Sequence, residues 1–157
     1  MGRAAKRKGT DMRAVIQRVT KASVSVDGEV IGKIGKGFVV LLGVGQDDAE
    51  EDMRYIADKT VNLRVFEDEN EKMNLNLTQV DGEILLVPNF TLYADCSHGF
   101  RPSFINALNP TEATVLFDKF IEKVKKELGN RVKTGIFGAD MQITQHNDGP
   151  ITIVIES

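Results

Sequence analysis

Residues 13–44 read RAVIQRVTKASVSVDGEVIGKIGKGFVVLLGV. Residues 13–20 and 22–26 are predicted as strands, the second alternating through Val24 and Val26. Asp27-Gly28 is a two-residue hairpin signal, and 30–34 is the expected return strand. Gly35-Lys36-Gly37 then turns the chain into the apolar run 38–44. A run without alternation suits a strand buried on both faces.

Moving outward, Asp47 or Asp48 is expected to cap a helix reaching about residue 62, with Met53, Ile56, Ala57, Thr60 and Val61 as its inward stripe. A short strand at 64–66, a charged loop at 67–72, a turn at Asp81-Gly82 and a strand over 84–92 follow. The second helix has the clearest start, with Asn109 as N-cap, Pro110 at the first helical position and Glu112 at the third. Ala113, Leu116, Phe117, Phe120, Ile121, Val124 and Leu128 recur at helical spacing, Lys125 and Lys126 suit the negative end, and Gly129 stops it. Strands at 141–144 and 151–155 close the chain. This order predicts an α/β chain of α+β character: a curved, barrel-like mixed sheet with two main helices outside.

Composition narrows the function classes. The 157 residues are 41% hydrophobic and 27% charged, which excludes collagenous and disordered chains. The longest apolar run, 38–45, is far short of the ~20 residues of a membrane helix. No secretory apolar segment is evident, so a soluble cytoplasmic protein without a membrane partner is expected. Cys96 is the only cysteine, which excludes an intrachain disulfide and a multi-cysteine zinc site. Residues 1–11 carry net charge +3 and no apolar periodicity, and read as a disordered basic leader or expression scar. Residues 12–157 form the expected single domain, with net charge −6. An acidic body argues against gripping long nucleic acid by phosphate neutralisation, though not against holding one end.

Familiar catalytic patterns are missing. The chain has no HxxxH, CxxC or GxSxG, and Gly43-Val44-Gly45 lacks what a dinucleotide loop or P-loop needs. His98 and His146 read as solvated polar groups, Cys96 has no placed base, and the acidic runs at 47–52 and 67–71 read as solvated faces. No metal or cofactor is expected. Two segments are unusual. Pro88-Asn89-Phe90-Thr91-Leu92 puts a proline inside an expected strand, where a bulge can expose main-chain N–H groups to an oxyanion. Asn147-Asp148-Gly149-Pro150-Ile151-Thr152 opens with a strong turn signal before the last strand.

At these segments the chain resembles the D-aminoacyl-tRNA deacylases, also called D-tyrosyl-tRNA deacylases. The likeness starts at Met12-Arg13-Ala14-Val15-Ile16-Gln17-Arg18-Val19 and continues through Asn62-Leu63-Arg64-Val65-Phe66, Phe90-Thr91-Leu92-Tyr93-Ala94-Asp95 and Arg101-Pro102-Ser103-Phe104. It ends with Thr134-Gly135-Ile136-Phe137-Gly138-Ala139-Asp140-Met141 and the 147–152 segment. The resemblance implies a homodimer with sites at the interface, each binding the 3′-terminal adenosine of a tRNA with its esterified amino acid. The implied reaction is ester hydrolysis that frees a D-amino acid, and glycine from mischarged glycyl-tRNA, as proofreading in translation. The family's Ser-Gln-Phe-Thr-Leu motif matches 88–92, implying catalytic positions at Asn89, Phe90 and Thr91. Its Asn-x-Gly-Pro-x-Thr motif implies that Gly149 and Pro150, joined by a cis bond, select chirality across the interface. Arg18 is then the brace for that insertion, and Phe137, Gly138, Ala139, Met141 and Asn147 the adenosine and substrate contacts. The family's chemistry is substrate-assisted and supported by main-chain donors.

The chain departs from the family where Pro88 replaces Ser and Asn89 replaces Gln, removing a hydroxyl and an N–H and shortening an amide arm. Donors around Phe90 and Thr91 are expected to stay available. Ser97-His98-Gly99-Phe100 replaces a more basic loop. The alternative function is a non-catalytic DNA- or RNA-binding protein of the same fold. A small-ester hydrolase using Cys96 is a third possibility.

Overall fold

The computed structural model describes residues 11–157. The leader expected at 1–11 lies outside the described residues except for Asp11, whose carbonyl accepts a hydrogen bond from the Tyr93 hydroxyl. That contact places residue 11 with the folded body. Among the described residues no helix is long and apolar enough to cross a membrane.

One long strand, β1 (Arg13–Val26), organises the sheet. It replaces the two expected strands, because the backbone stays extended through Thr20 and Lys21 while the pairing register shifts there. Asp27 and Gly28, with φ of 51° and 82°, make the predicted hairpin turn into β2 (Glu29–Ile34). The next strand, β3 (Gly37–Gly43), continues along the same edge of β1. Its apolar run is buried on both faces, as the lack of alternation implied. Gly37 is required there, since a Cβ would come within 1.7 Å of the Glu83 carbonyl oxygen.

Helix α1 (Glu50–Asn62) follows. Its N-cap is Ala49, not Asp47 or Asp48, and the Asp52 carboxylate accepts the Ala49 N–H at 2.8 Å. Asp48 instead accepts from the Gly45 and Met12 N–H groups at 2.6 and 2.8 Å, tying the end of β3 to the start of β1. The strand expected at 64–66 starts two residues later, as β4 (Phe66–Glu67), and pairs with β5 (Met73–Leu75). Asp68 shapes the loop between them by accepting from the Asn70 and Lys72 N–H groups.

Strand β6 (Glu83–Pro88) runs parallel to β3, and β7 (Val132–Thr134) runs parallel to β6. The strand expected over 84–92 stops at Pro88, and Phe90–Tyr93 is one 3₁₀ turn. The Asn89 N–H still donates to the Leu42 carbonyl of β3 at 2.8 Å, and the Asn89 side chain then caps the turn. Helix α2 (Pro110–Leu128) starts as predicted, with Asn109 Oδ1 accepting the Glu112 N–H at 3.0 Å, and ends at Gly129 with φ of +59°.

The last strand, β8 (Gln142–Glu156), pairs antiparallel with the whole of β1. The sheet order is β8–β1–β3–β6–β7, with β2 beside the second half of β1 and curled toward β6 and β7. The result is a nearly closed, barrel-like mixed sheet. Phe38, Val40, Leu42, Ile84 and Leu86 face Ile56, Phe117, Phe120 and Val124 of the helices. Val19, Val24, Ile34, Val39, Leu85 and Val87 fill the inside of the curl.

Candidate active site

Strands β3, β6 and β7 are parallel and end together, so their carboxyl ends form one rim. Crevices at such rims are where α/β sheets bind ligands. Three segments meet here. The 3₁₀ turn of Phe90–Tyr93 leaves the end of β6. Residues 135–141 leave β7 and fold back over it, with the Gly135 N–H donating to the Leu86 carbonyl at 2.8 Å. Residues 103–109 dock on the end of β3, through Leu108 N–H to Val44 O at 2.9 Å and Gln46 N–H to Asn106 O at 2.9 Å.

Between them lies a cavity of about 280 Å³ lined by Phe90, Phe104, Phe137 and Leu108, with Ala107, Asn109 and Pro110 at the start of α2. Its aromatic walls are locked by edge-to-face contacts, Phe90 on Phe104 at 5.2 Å and Phe137 on Phe117 at 6.3 Å. An apolar cleft with few polar groups suits a flat, neutral group such as a base or an aromatic side chain. Met141 packs over Gly135, where a Cβ would meet its sulfur at 2.6 Å and the Pro88 ring at 3.6 Å. Gly138, with φ of +83°, and Ala139, whose N–H donates to the Ile136 carbonyl, form the turn between Phe137 and Met141.

The polar part of the site is the first turn after β6. Asn89 Oδ1 accepts from the Thr91 N–H at 3.2 Å and from the Thr91 hydroxyl. This corrects the expectation that donors at both Phe90 and Thr91 stay available, because the Asn89 amide occupies Thr91's. The Phe90 N–H has no such partner among the described residues, and Phe90 itself is exposed. Tyr93 anchors the turn, with its hydroxyl against the Gly43 carbonyl at 3.0 Å and the Asp11 carbonyl. Burial holds its pKa far above the usual tyrosine value, with the Asp48 carboxylate adding to the effect.

The second unusual segment lies elsewhere. It is not a turn before the last strand, as expected, but a bulge within β8. Gln17 pairs with Thr152 and Val19 pairs with Asn147, so residues 148–151 stand opposite Arg18 alone. Arg18 is 5% exposed, donates to the Val65 carbonyl at 2.7 Å, and reaches both the carbonyl and carboxylate of Asp148 at 3.4 and 3.3 Å. The bulge presents Gly149 and Pro150, joined by a cis bond, to solvent. No residue of 147–151 lines the cavity of its own chain. Asn147 accepts from Gln145 at 2.6 Å, and Gln145 also donates to Gln17 at 2.6 Å.

Residues 15–156 match the family described as D-Tyr-tRNA(Tyr) deacylase. The chain belongs to this family. A D-aminoacyl-tRNA deacylase of Clostridium botulinum (strain 657 / Type Ba4) is 56% identical over 146 residues, covering 93% of this chain and 97% of its own. One from Clostridium perfringens (strain SM101 / Type A) is 54% identical over the same shares. A solved structure of a c-Myc DNA Unwinding Element Binding Protein superimposes with a TM-score of 0.88 at 41% identity, over 92% of this chain and 98% of that one. A second, of a probable eukaryotic D-amino acid tRNA deacylase, has a TM-score of 0.82 at 17% identity over 94% and 100%, and shows the shared fold.

Among the expected site residues of this deacylase-family chain, the structure brings Phe90 and Phe137 to one cavity, with Asn89, Thr91, Gly138, Ala139 and Met141 on the segments that frame it. It sets Arg18, Asn147, Gly149 and Pro150 together on a separate surface. Sequence reasoning missed Phe104, Ala107 and Leu108 as lining residues. The signal was present in Phe104, Ile105, Ala107 and Leu108, an apolar cluster in a short segment with no strand or helix pattern to absorb it.

Proposed function

We propose that this chain hydrolyses the ester of D-aminoacyl-tRNA, releasing the D-amino acid and free tRNA. Family membership across residues 15–156 carries this reading. The cavity is suited to the uncharged end of such a substrate. Its aromatic walls can stack a terminal adenine, and the unpartnered Phe90 N–H is a candidate donor for the oxygen that gains charge when water attacks the ester. The walls offer no histidine, cysteine or carboxylate as a base. The ribose hydroxyl next to the ester is therefore the group that assists the water.

The chain works as a homodimer in this reading, with Gly149 and Pro150 of one protomer entering the site of its partner. Support comes from the bulge, which Arg18 holds out on a face apart from its own chain's cavity. A main-chain wall there accepts a D side chain and blocks an L one, and it has nothing to reject in glycine. Glycyl-tRNA is thus also a substrate, and the work is proofreading in the cytoplasm. The acidic body opposes the alternative of gripping long DNA or RNA without hydrolysis.

The test compares hydrolysis of D-Tyr-, L-Tyr- and Gly-tRNA by the dimer and by protein diluted to monomer. Cleavage of the D and glycyl esters alone, lost on dissociation, is expected. Equal rates on the D and L esters would overturn the chirality assignment.

A further inference from the structure

On the outer face of the sheet, away from the cavity, β1, β2 and β8 align five polar side chains. Ser23 pairs with Lys33 on one side and with Thr144 on the other, and Lys21 pairs with His146. Directly paired residues of an antiparallel sheet share a face, as do residues two apart on a strand. Ala22 and Val24 are buried inside the curl, so Lys21 and Ser23 point outward. Lys21, Ser23, Lys33, Thr144 and His146 line an open cup of about 230 Å³. Ser25 and Gln142 are the next pair on this face, and no carboxylate lines the cup. Among the described residues neither Lys21 nor Lys33 has a carboxylate within ion-pair distance. In a body of net charge −6, a cup lined by two ammonium groups and no acid is an exception that calls for a ligand.

The donors define that ligand's class. Two ammonium groups, two hydroxyls and an imidazole suit phosphate oxygens. The cup is shallow and open, which suits a phosphate within a chain. Its position identifies the chain. Strand β8 begins one residue after Met141 and carries Thr144 and His146 directly before Asn147 and the bulge. Four residues span at most roughly 14 Å, so His146 lies within that distance of Pro150. A nucleic acid whose 3′ end reaches the bulge passes this face. Resting on the deacylase reading, we infer that Lys21, Lys33 and His146 of the protomer whose bulge enters the site hold backbone phosphates of the tRNA acceptor stem.

The test uses the full-length dimer and two substrates, a full D-aminoacyl-tRNA and a D-aminoacyl ester of the trinucleotide CCA. The double variant Lys21→Ala/Lys33→Ala should raise KM on the full tRNA roughly tenfold with kcat unchanged, and the log–log salt slope of binding should fall by about 2. Both constants on the trinucleotide ester should match wild type. Lys21→Arg/Lys33→Arg should behave as wild type on both. Unchanged KM and salt slope on the full tRNA would overturn the proposal, as would equal losses on both substrates, which would place the effect in the catalytic site or in folding. Failure of the wild type to cleave either ester would instead overturn the deacylase reading, and the proposal with it.

Discussion

Arg18 donates to the main-chain carbonyl of Asp148 at 3.4 Å and pairs with the same residue's carboxylate at 3.3 Å. One buried side chain thereby holds both the backbone and the side chain at the start of the β8 bulge. A third bond, to the Val65 carbonyl at 2.7 Å, fixes the guanidinium from behind. The salt bridge adds little by itself, since Asp148 is half exposed. Arg18→Ala should cost about 2–3 kcal/mol in urea unfolding, through the hydrogen bonds lost from a buried charged donor. Turnover should fall further than stability accounts for. Arg18→Lys should not restore it, because one ammonium cannot reach three directions in a plane. Wild-type turnover in Arg18→Lys would show that the bulge keeps its shape without the planar fork.

Gly149 lies at the crest of that bulge with φ of +122°, where side chains are strained. A Cβ would also sit 2.8 Å from both the main-chain nitrogen and the Cγ1 of Ile151. The side chain can turn away, but the nitrogen cannot. Gly149→Ala should therefore lose about 1–3 kcal/mol of stability. Hydrolysis of D-Tyr-tRNA should drop at least tenfold in protein that is still folded by circular dichroism. Full activity in the alanine variant would mean that the crest does not meet the substrate.

Asn89 and Thr91 behave as one unit, because the Asn89 amide oxygen takes both the N–H and the hydroxyl of Thr91. Removing the hydroxyl leaves the N–H bond in place, so Thr91→Ala should keep measurable hydrolysis. Asn89→Ala removes the cap, should cost about 1 kcal/mol, and should lower turnover more than Thr91→Ala because the turn carrying the Phe90 N–H loosens. A covalent aminoacyl ester trapped on Thr91 would sink this account and make the hydroxyl a nucleophile.

Much of the fold was legible because local chemistry and tertiary context agree. Asn109, Pro110 and Glu112 start α2 in the sequence and in space, and the unbroken apolar run in β3 is buried on both faces. Misreadings arose where a side chain served a distant partner. Asp48 looks like a helix cap but bonds Met12 and Gly45, leaving the cap to Ala49. Asn-Asp-Gly-Pro looks like a turn because its residues favour one, yet β1 pairs on both sides of it and turns it into a bulge. The site was legible as two segments through their odd residue choices. Their separation on the surface was not, since it depends on the register of β8 against β1. The Phe104 wall showed in the sequence only as an apolar cluster outside any helix or strand pattern, and what it packs against depends on how residues 103–109 dock on the end of β3.

Tyr93 offers a test that needs no substrate. Its hydroxyl is buried against the Gly43 and Asp11 carbonyls, its ring fills the space beside Gly43, and Arg13 lies 5.4 Å from the ring centre. Burial, then the Asp48 charge, raises the pKa of the native hydroxyl above its unfolded value near 10. The native state thus keeps its proton where the unfolded chain loses it. The stability this group contributes is complete below about pH 10 and declines as pH rises above it, by up to about 1.4 kcal/mol per pH unit. Tyr93→Phe cannot ionise, and it leaves two carbonyls without their donor. At pH 7 it should be less stable than wild type by about 1–3 kcal/mol. Between pH 10 and 11 the wild-type advantage should shrink, because only wild type gains an ionised unfolded state. Urea unfolding of both proteins from pH 7 to 11 measures this. A gap that stays constant or widens above pH 10 would show that the native hydroxyl ionises as readily as the unfolded one, and that the bonds tying the 3₁₀ turn to β3 do not hold it in the protonated form.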